Sequence, residues 1–377
     1  MPSPVPRIPF KGYRENAQSI GRRVKKSEGE GGNVSRIPYP VSRVPSPESR
    51  VPCPEGRMNW TTWKRRLGLE RPTHTGRFVA PTFALDLEPG FVAAARLSPS
   101  KRQVQSVGVR ELPAGALAPS ANKSNVTDDA VVRRTIAEVS ERVGNVGGRL
   151  GLLIPDMAVR VALLQFETLP EDHREAETLV LWKMREYLPY APEEARLTYQ
   201  VLGKQPGSVE VLGVAVRGSV LAEYEAVLEG INGGPALVLP ATVALLPLLP
   251  EEASGQLLLH LCPGALTAVV VAANRVRYWR TRSLEGDAVS NLEEVAREAN
   301  RVLATCQDNL GVQVQNVWYC ARPPAELEVE EALARALGRE LRPLPAKSLP
   351  VAGLPSGQRE AFDNFGMPFA GLMANLS

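Results

Sequence analysis

Cysteine and histidine are scarce in this chain of 377 residues, which has three histidines. Its four cysteines show no CxxC spacing and are Cys53, Cys262, Cys306 and Cys320. A structural zinc site needs four nitrogen or sulfur ligands in close pairs, and no histidine here stands at such a spacing. The sequence therefore argues against a metal site. Isolated thiols are also typical of a reducing compartment.

Long hydrophobic runs are missing as well. The longest one, from Ala236 to Pro250, is interrupted by Pro240 and Pro247. It is shorter than the ~20 apolar residues that a membrane span needs. No apolar segment of the signal-peptide type follows Met1. We therefore expect a cytoplasmic protein.

The sequence also lacks a basic region within its globular part. The formal net charge is +3, yet residues 1–57 hold eleven Lys or Arg against five Asp or Glu. The rest of the chain is therefore mildly acidic. This distribution predicts no groove for nucleic acid, because such grooves need clustered positive charge.

The N-terminal segment 1–57 contains ten prolines and few clustered apolar side chains. It cannot bury enough apolar surface to offset chain entropy, which predicts a disordered basic tail. The tail is either a tether for an acidic surface or a mis-assigned leader, with translation beginning at Met58. Residues 58–78 place Trp60 and Trp63 on one helical face, which predicts a lead-in helix packed on the body or lying on a membrane surface.

Two groups of short β-runs occupy corresponding positions in the two halves of the chain. Each group reads as a three-stranded meander whose first turn contains Pro and Gly. The runs are Phe83–Leu87, Phe91–Leu97 and Val104–Val109, then Gln256–Leu261, Leu266–Ala272 and Val276–Thr281. A helix and a strand follow each group: a helix capped by Thr127 before Leu150–Ile154, and Asn291–Leu310 before Val314–Tyr319. The pattern predicts an internal duplication of architecture.

Between the two groups, helical spacing of apolar residues predicts a helix over Glu171–Leu188 that Pro189 ends. Strand-like runs flank it at Gly151–Ile154 and Leu197–Leu202. Other predicted elements are a strand at Val209–Val216, a helix capped by Ser219, a helix over Ala325–Leu341 and an irregular segment at Pro343–Leu354. We expect a first half of 79–255 with an inserted subdomain of 151–218, and a second half of 256–377.

The segment 151–202 also carries most of a family resemblance. The matching residues are Ile154-Pro155-Asp156, Leu169-Pro170, Glu175, Trp182, Tyr187-Leu188-Pro189-Tyr190 and Tyr199-Gln200-Val201-Leu202. Together with the two meanders, they resemble PilM, the actin-like protein of type IV pilus assembly. The resemblance implies an α/β protein with the duplicated actin-like ATPase (ribonuclease H-like) fold, in which each half opens with an antiparallel meander.

The nucleotide loops depart from the pattern of that family. Where the family has Asp-Ile-Gly-Ser, this chain reads Asp86-Leu87-Glu88-Pro89-Gly90, so a carboxylate and a proline replace donors to phosphate. The second loop reads His260-Leu261-Cys262-Pro263-Gly264, and the adenosine-side glycine pair is replaced by Ala321 and Arg322. Set against the family, these changes predict vestigial nucleotide loops, no catalytic residue, and neither ATP nor magnesium as a cofactor.

Three single residues leave two interpretations each. His260 is a general base or a strand residue at a subdomain edge, and Asp86 is a magnesium ligand or a turn carboxylate. Cys262 is a nucleophile or a small core residue, and no partner that would activate it is visible in the sequence. In each case we favour the second interpretation.

The resemblance further implies a partner, the N-terminal cytoplasmic peptide of a PilN-like inner-membrane protein, and a place at the inner membrane through it. Other pilus assembly proteins are further candidate partners. The peptide would lie as a helix or strand in a groove between the first subdomain and the insertion. An aromatic corner suits such contacts: Trp182, Tyr187, Leu188, Pro189 and Tyr190. The alternatives are an active ATPase or small-molecule kinase, and a type II secretion component.

Overall fold

A computed structural model describes residues 80–144, 148–231, 234–285, 291–345 and 353–374. The predicted tail and the predicted lead-in helix lie outside these residues. No helix within the described ranges is both long and apolar enough to cross a membrane.

The described residues form strands and helices in alternating groups. The strands are β1 (Phe83–Glu88), β2 (Phe91–Ser98), β3 (Gln103–Glu111), β4 (Leu150–Ile154), β5 (Val159–Phe166), β6 (Ala195–Gln205), β7 (Ser208–Arg217), β8 (Pro235–Pro240), β9 (Gly255–Cys262), β10 (Ala265–Ala272), β11 (Arg275–Ser283), β12 (Val314–Ala321) and β13 (Leu341–Pro343). The helices are α1 (Asp129–Val143), α2 (His173–Met184), α3 (Gly218–Ala226), α4 (Ala241–Leu245), α5 (Leu292–Leu310), α6 (Leu327–Leu337), α7 (Ser356–Phe365) and α8 (Met367–Ala374).

The same sheet topology occurs twice. One sheet has the strand order β3-β2-β1-β4-β8 and the other has the order β11-β10-β9-β12-β13. In each, three antiparallel strands precede two that run parallel to the first. Helices α1 and α5 make the crossovers that such parallel pairing requires. The predicted actin-like duplicated fold is therefore confirmed.

The central strands are buried on both faces. Every residue of β1 and β4 is buried, as expected of parallel strands covered by helices on one face and by the other half on the opposite face. Alternation along β1 sends Leu85 and Leu87 into a core with α1, whereas Ala84 joins a core that both halves share. The second half repeats this division, with Leu257 and Leu259 under α5 and Leu258 in the shared core.

The insertion is a separate three-stranded antiparallel sheet of order β5-β7-β6 with α2 on one face. The predicted start of this subdomain at residue 151 is wrong, because β4 pairs with β1 and β8 in the first large sheet. The strand β5 was not predicted. The helix predicted over Glu171–Leu188 is shorter: Asp172 caps it by accepting from two backbone amides, and it ends four residues before Leu188.

Other helix ends also differ from the prediction. Asp128, not Thr127, caps α1 by accepting from the Val131 amide, and α3 begins at Gly218 without a side-chain cap from Ser219. The helix predicted to reach Leu341 stops at Leu337, because Gly338 adopts a left-handed conformation with φ of 60°. The segment predicted as irregular begins at Pro343, which is the last residue of β13. This strand gives the second sheet its fifth strand.

The C-terminal helices return to the first half. Phe365 at the end of α7 packs on Phe91 of β2 with ring centroids 4.8 Å apart, and the Val107 amide donates to the Gln358 side chain. Helix α8 packs on α4 and β3. The predicted second half of 256–377 is therefore too long, because residues 356–374 share the core of the first sheet.

The crossing of α8 and α4 gives a stability prediction. A Cβ atom at Gly371 would overlap the carbonyl oxygen of Ala244, whereas one at Gly357 in α7 would contact nothing within 4 Å. We expect Gly371→Ala to lower the free energy of unfolding by about 1–3 kcal/mol through overpacking. Gly357→Ala, the matched control, should raise it by about 0.5–1 kcal/mol. Urea unfolding measures both, and equal effects would contradict the close approach.

Candidate functional site

The three loops that the sequence predicts to be vestigial nucleotide loops meet where the two large sheets face each other. Asp86, Glu88 and Gly90 lie at the β1–β2 turn, His260, Cys262 and Gly264 lie at the β9–β10 turn, and Ala321 and Arg322 lie at the end of β12. Both turn glycines have positive φ, 93° at Gly90 and 76° at Gly264, as tight turns require. A Cβ at Gly90 would lie 3.8 Å from Pro263, so the two turns are adjacent.

A single buried arginine joins these loops. The side chain of Arg322 is 1% exposed and forms ion pairs with both carboxylates of the first loop. Its Nη1 contacts Asp86, and its Nη2 lies 3.3 Å from Glu88 Oε1. Its Nε donates to His260 Nε2 over 3.0 Å, and Nη2 also lies 3.3 Å from Cys262 Sγ. The guanidinium therefore bonds to both phosphate-loop positions at once.

The histidine continues this network away from the arginine. Because His260 Nε2 accepts from Arg322, its proton stands on Nδ1, which lies 2.6 Å from Thr242 Oγ1 and 3.4 Å from Asp156 Oδ2. Burial lowers the pKa of His260, which agrees with a neutral ring. Asp156 also accepts from Thr267 over 2.8 Å. Residues of both halves are thus joined by one chain of hydrogen bonds.

Burial governs the ionisation of the site. It raises the pKa of Asp86 and, despite the nearby Arg322, raises the pKa of Glu88 well above its usual range. One guanidinium cannot neutralise two adjacent buried carboxylates, so a proton held by Glu88 completes the charge balance. For Asp156, burial acts in the same direction, but hydrogen bonds from His260 and two threonines lower its pKa.

The thiol and the imidazole have no reactive arrangement here. Burial raises the pKa of Cys262 well above its usual range, whereas a nucleophilic cysteine needs a lowered pKa. The imidazole Nε2 that a general base would use is held by Arg322. These contacts favour structural roles for both residues.

The residues present do not fit a nucleotide with magnesium. The carboxylates that would face the metal are paired with an internal cation, and the amide-rich glycines of a phosphate loop are absent. In the sequence, Glu88 and Arg322 stand as two separate departures from the family pattern. Their opposite charge is the signal from which the pair could have been predicted, since a buried arginine requires carboxylate partners.

A second site lies between the insertion and the first half. It is an apolar groove of about 190 Å³ at the edges of two sheets. Its walls include Leu212, Val214 and Val216 of β7, Val238 and Leu239 of β8, and Thr198 and Gln200 of β6. β6 and β8 are each the terminal strand of their sheet, so the groove runs between two open strand edges.

The predicted aromatic corner lies elsewhere, at the C-terminal end of α2 and in the residues just beyond it. Trp182 and Tyr187 are 55% and 48% exposed, and Pro189 is also exposed. Leu188 packs against the core of the insertion, and burial raises the pKa of Tyr190 to about 12. None of these residues lines the groove, so their part in peptide binding stays a prediction.

The raised pKa of Glu88 gives a pH prediction. The folded protein keeps a proton that the unfolded chain releases at the ordinary glutamate pKa. The free energy of unfolding must therefore fall as pH rises from that value through the raised one. Glu88→Gln keeps the shape and cannot titrate, so its stability should fall less steeply with pH. The raised pKa of Asp86 also makes the free energy of unfolding fall as pH rises, in the wild-type protein and in Glu88→Gln alike.

Urea unfolding in mildly acidic to alkaline buffers measures these slopes. The exposed Glu328→Gln is the control and should keep the wild-type slope. Equal slopes for wild type and Glu88→Gln would mean that Glu88 is ionised in the folded protein.

At the level of sequence, no family model and no curated protein matches this chain. A chain of a solved PilM–PilN type IV pilus biogenesis complex matches with a TM-score of 0.68 at 18% identity, over 79% of this chain and 99% of that one.

Further solved structures resemble this chain more distantly. They include an actin-like ATPase-fold protein of Bacteroides thetaiotaomicron (TM-score 0.44, 10% identity, 70% of this chain and 91% of that one). Another is the cytoplasmic domain of EpsL, an inner-membrane component of the type II secretion system of Vibrio cholerae (TM-score 0.42, 12% identity, 78% and 91%). The resemblance stated from the sequence is thus confirmed as a likeness of fold: the chain has the actin-like fold in the form found in the PilM–PilN complex.

Proposed function

We propose that this protein is a scaffold of type IV pilus assembly that binds the N-terminal cytoplasmic peptide of a PilN-like inner-membrane protein and does not hydrolyse ATP. The observation that carries the proposal is the apolar groove between the insertion and the first half, in a fold shared with a chain of a PilM–PilN complex. The scaffold would be cytoplasmic and would be held at the inner membrane by this partner.

The groove suits the anchor side chains of a peptide better than a whole drug-sized molecule. Its volume of about 190 Å³ is below the roughly 300–1,000 Å³ of sites for drug-sized molecules. It has room for apolar anchor side chains of a segment that lies along the two strand edges and becomes ordered on docking. The exposed Trp182 and Tyr187 offer a further apolar surface on the same subdomain.

The arginine cluster supports the part of the proposal that concerns ATP. Phosphate and magnesium would have to displace Arg322 from Asp86 and Glu88. Separating a buried pair costs about 3–5 kcal/mol. That amounts to a factor of roughly 10²–10⁴ in affinity, which moves a micromolar nucleotide site to millimolar or weaker.

For the peptide, we expect saturable binding of the synthetic N-terminal segment of the PilN-like protein from the same genome. Thr198→Trp places an indole in the groove and should weaken binding by at least about tenfold, because it fills the anchor space. The matched control is Thr178→Trp on the exposed side of α2, which should bind as wild type does. Fluorescence anisotropy gives the dissociation constants, and circular dichroism shows that each variant is folded.

The same titration separates the groove from the aromatic corner. If Tyr187→Ala lost affinity while Thr198→Trp kept it, the peptide would bind at the corner instead. Absence of any binding by the wild-type protein would end the scaffold proposal in this form.

For the nucleotide, we expect isothermal titration of ATP with magnesium to give no saturable heat at micromolar concentrations. The rival function, an active ATPase or kinase, requires micromolar affinity that depends on magnesium and is lost in Asp86→Asn. Observing both dependences would overturn the proposal that the protein does not hydrolyse ATP.

A further inference from the structure

One polar side chain that lines the groove has a buried nitrogen without a hydrogen-bond partner among the described residues. The residue Gln200 of β6 is 7% exposed, and its amide nitrogen Nε2 is buried without an acceptor among the described residues. Buried amides of this kind nearly always have a partner, so an unpaired one calls for an explanation.

The position of this side chain follows from strand alternation. Leu197, Tyr199 and Val201 turn toward the core that α2 covers, so Gln200 belongs to the opposite face of the sheet. That face looks across the groove to the first half, and Gln200 lines the groove with its cross-strand neighbour Leu212. Gln200 is therefore part of the wall of the proposed peptide site, and its unpaired Nε2 is closed to solvent there.

The chemistry of the groove limits what can satisfy this donor. The side chains around it are mainly aliphatic and the charged Arg196 of the lining is exposed, so a charged or strongly polar ligand would lose hydration and find few partners inside the groove. An apolar peptide segment always brings one kind of acceptor with it, the carbonyl oxygens of its own main chain. A side-chain amide also matches a peptide group in shape and carries both a donor and an acceptor.

We propose that Gln200 reads the main chain of the bound peptide: its Nε2 donates to a backbone carbonyl of an extended, apolar segment that lies in the groove. The proposal rests on the proposed function and deepens it. It makes Gln200 a residue that fixes the position of the segment along the groove, while the aliphatic walls accept its side chains. In the free protein the donor is unpaired and closed to solvent, and binding turns the side chain toward the groove and supplies its acceptor.

The test uses full-length protein, the synthetic N-terminal peptide of the PilN-like partner, and two variants. Gln200→Met keeps the length and volume of the side chain and removes the amide. Gln165→Met on β5 makes the same exchange at an exposed position and serves as the control. Each protein is titrated with the peptide and is also unfolded in urea without it.

We expect Gln200→Met to bind the peptide about tenfold more weakly, the usual effect of removing one buried hydrogen bond. The free variant should be at least as stable as wild type, because it no longer buries an unpaired donor. Gln165→Met should bind as wild type does. A role for Gln200 within the fold alone would give the opposite pair of results, lower stability with unchanged affinity.

A second series tests the acceptor. Peptides in which one backbone amide at a time is replaced by an ester have a weakened carbonyl at that point. At one position, the ester should lower the affinity of the peptide for the wild-type protein but not for Gln200→Met. Equal losses in both proteins at every position would overturn the proposal, whereas the proposed function would stand as long as wild type binds and Thr198→Trp does not.

Discussion

A buried guanidinium is the constraint on which this structure depends. Arg322 has almost no contact with solvent, and a charge in that position is tolerated only with compensating partners. The partners come from both halves: two carboxylates at the end of β1, an imidazole on β9 and a thiol beside it. Residues of the two halves therefore meet at this one buried cation.

The duplicated topology makes this arrangement available. Because β1 and β9 open the two halves in equivalent positions, their carboxyl ends face each other across the shared core, and β12 brings Arg322 to the same point. The C-terminal helices reinforce the contact from another direction, since Phe365 and its neighbours pack on the first sheet after the chain has completed the second. The insertion also contacts the second half, since Glu210 of β7 lies 3.4 Å from Arg277 of β11, while its groove lies at other strand edges.

Local patterns were enough to predict the duplicated fold. Glycines with positive φ at both first turns, and apolar stripes on α1 and α5, are signals carried by neighbouring residues. β13 was missed because three residues are too few for alternation to be visible, and the helix before it was extended past Gly338. The pairing of Arg322 with Asp86 spans 236 positions, so no local pattern could reveal it. The unpaired state of Gln200 likewise depends on what the first half places opposite it.

The ion pairs of Arg322 also constrain how this sequence can change. A single substitution of Arg322 by glycine would leave Asp86 and Glu88 buried side by side without a cation. Replacing Glu88 alone by glycine would remove a hydrogen-bond acceptor of the guanidinium and would still leave Arg322 buried between the loops. Each of these single replacements therefore leaves a buried polar group with fewer partners, so the two residues are difficult to replace one at a time.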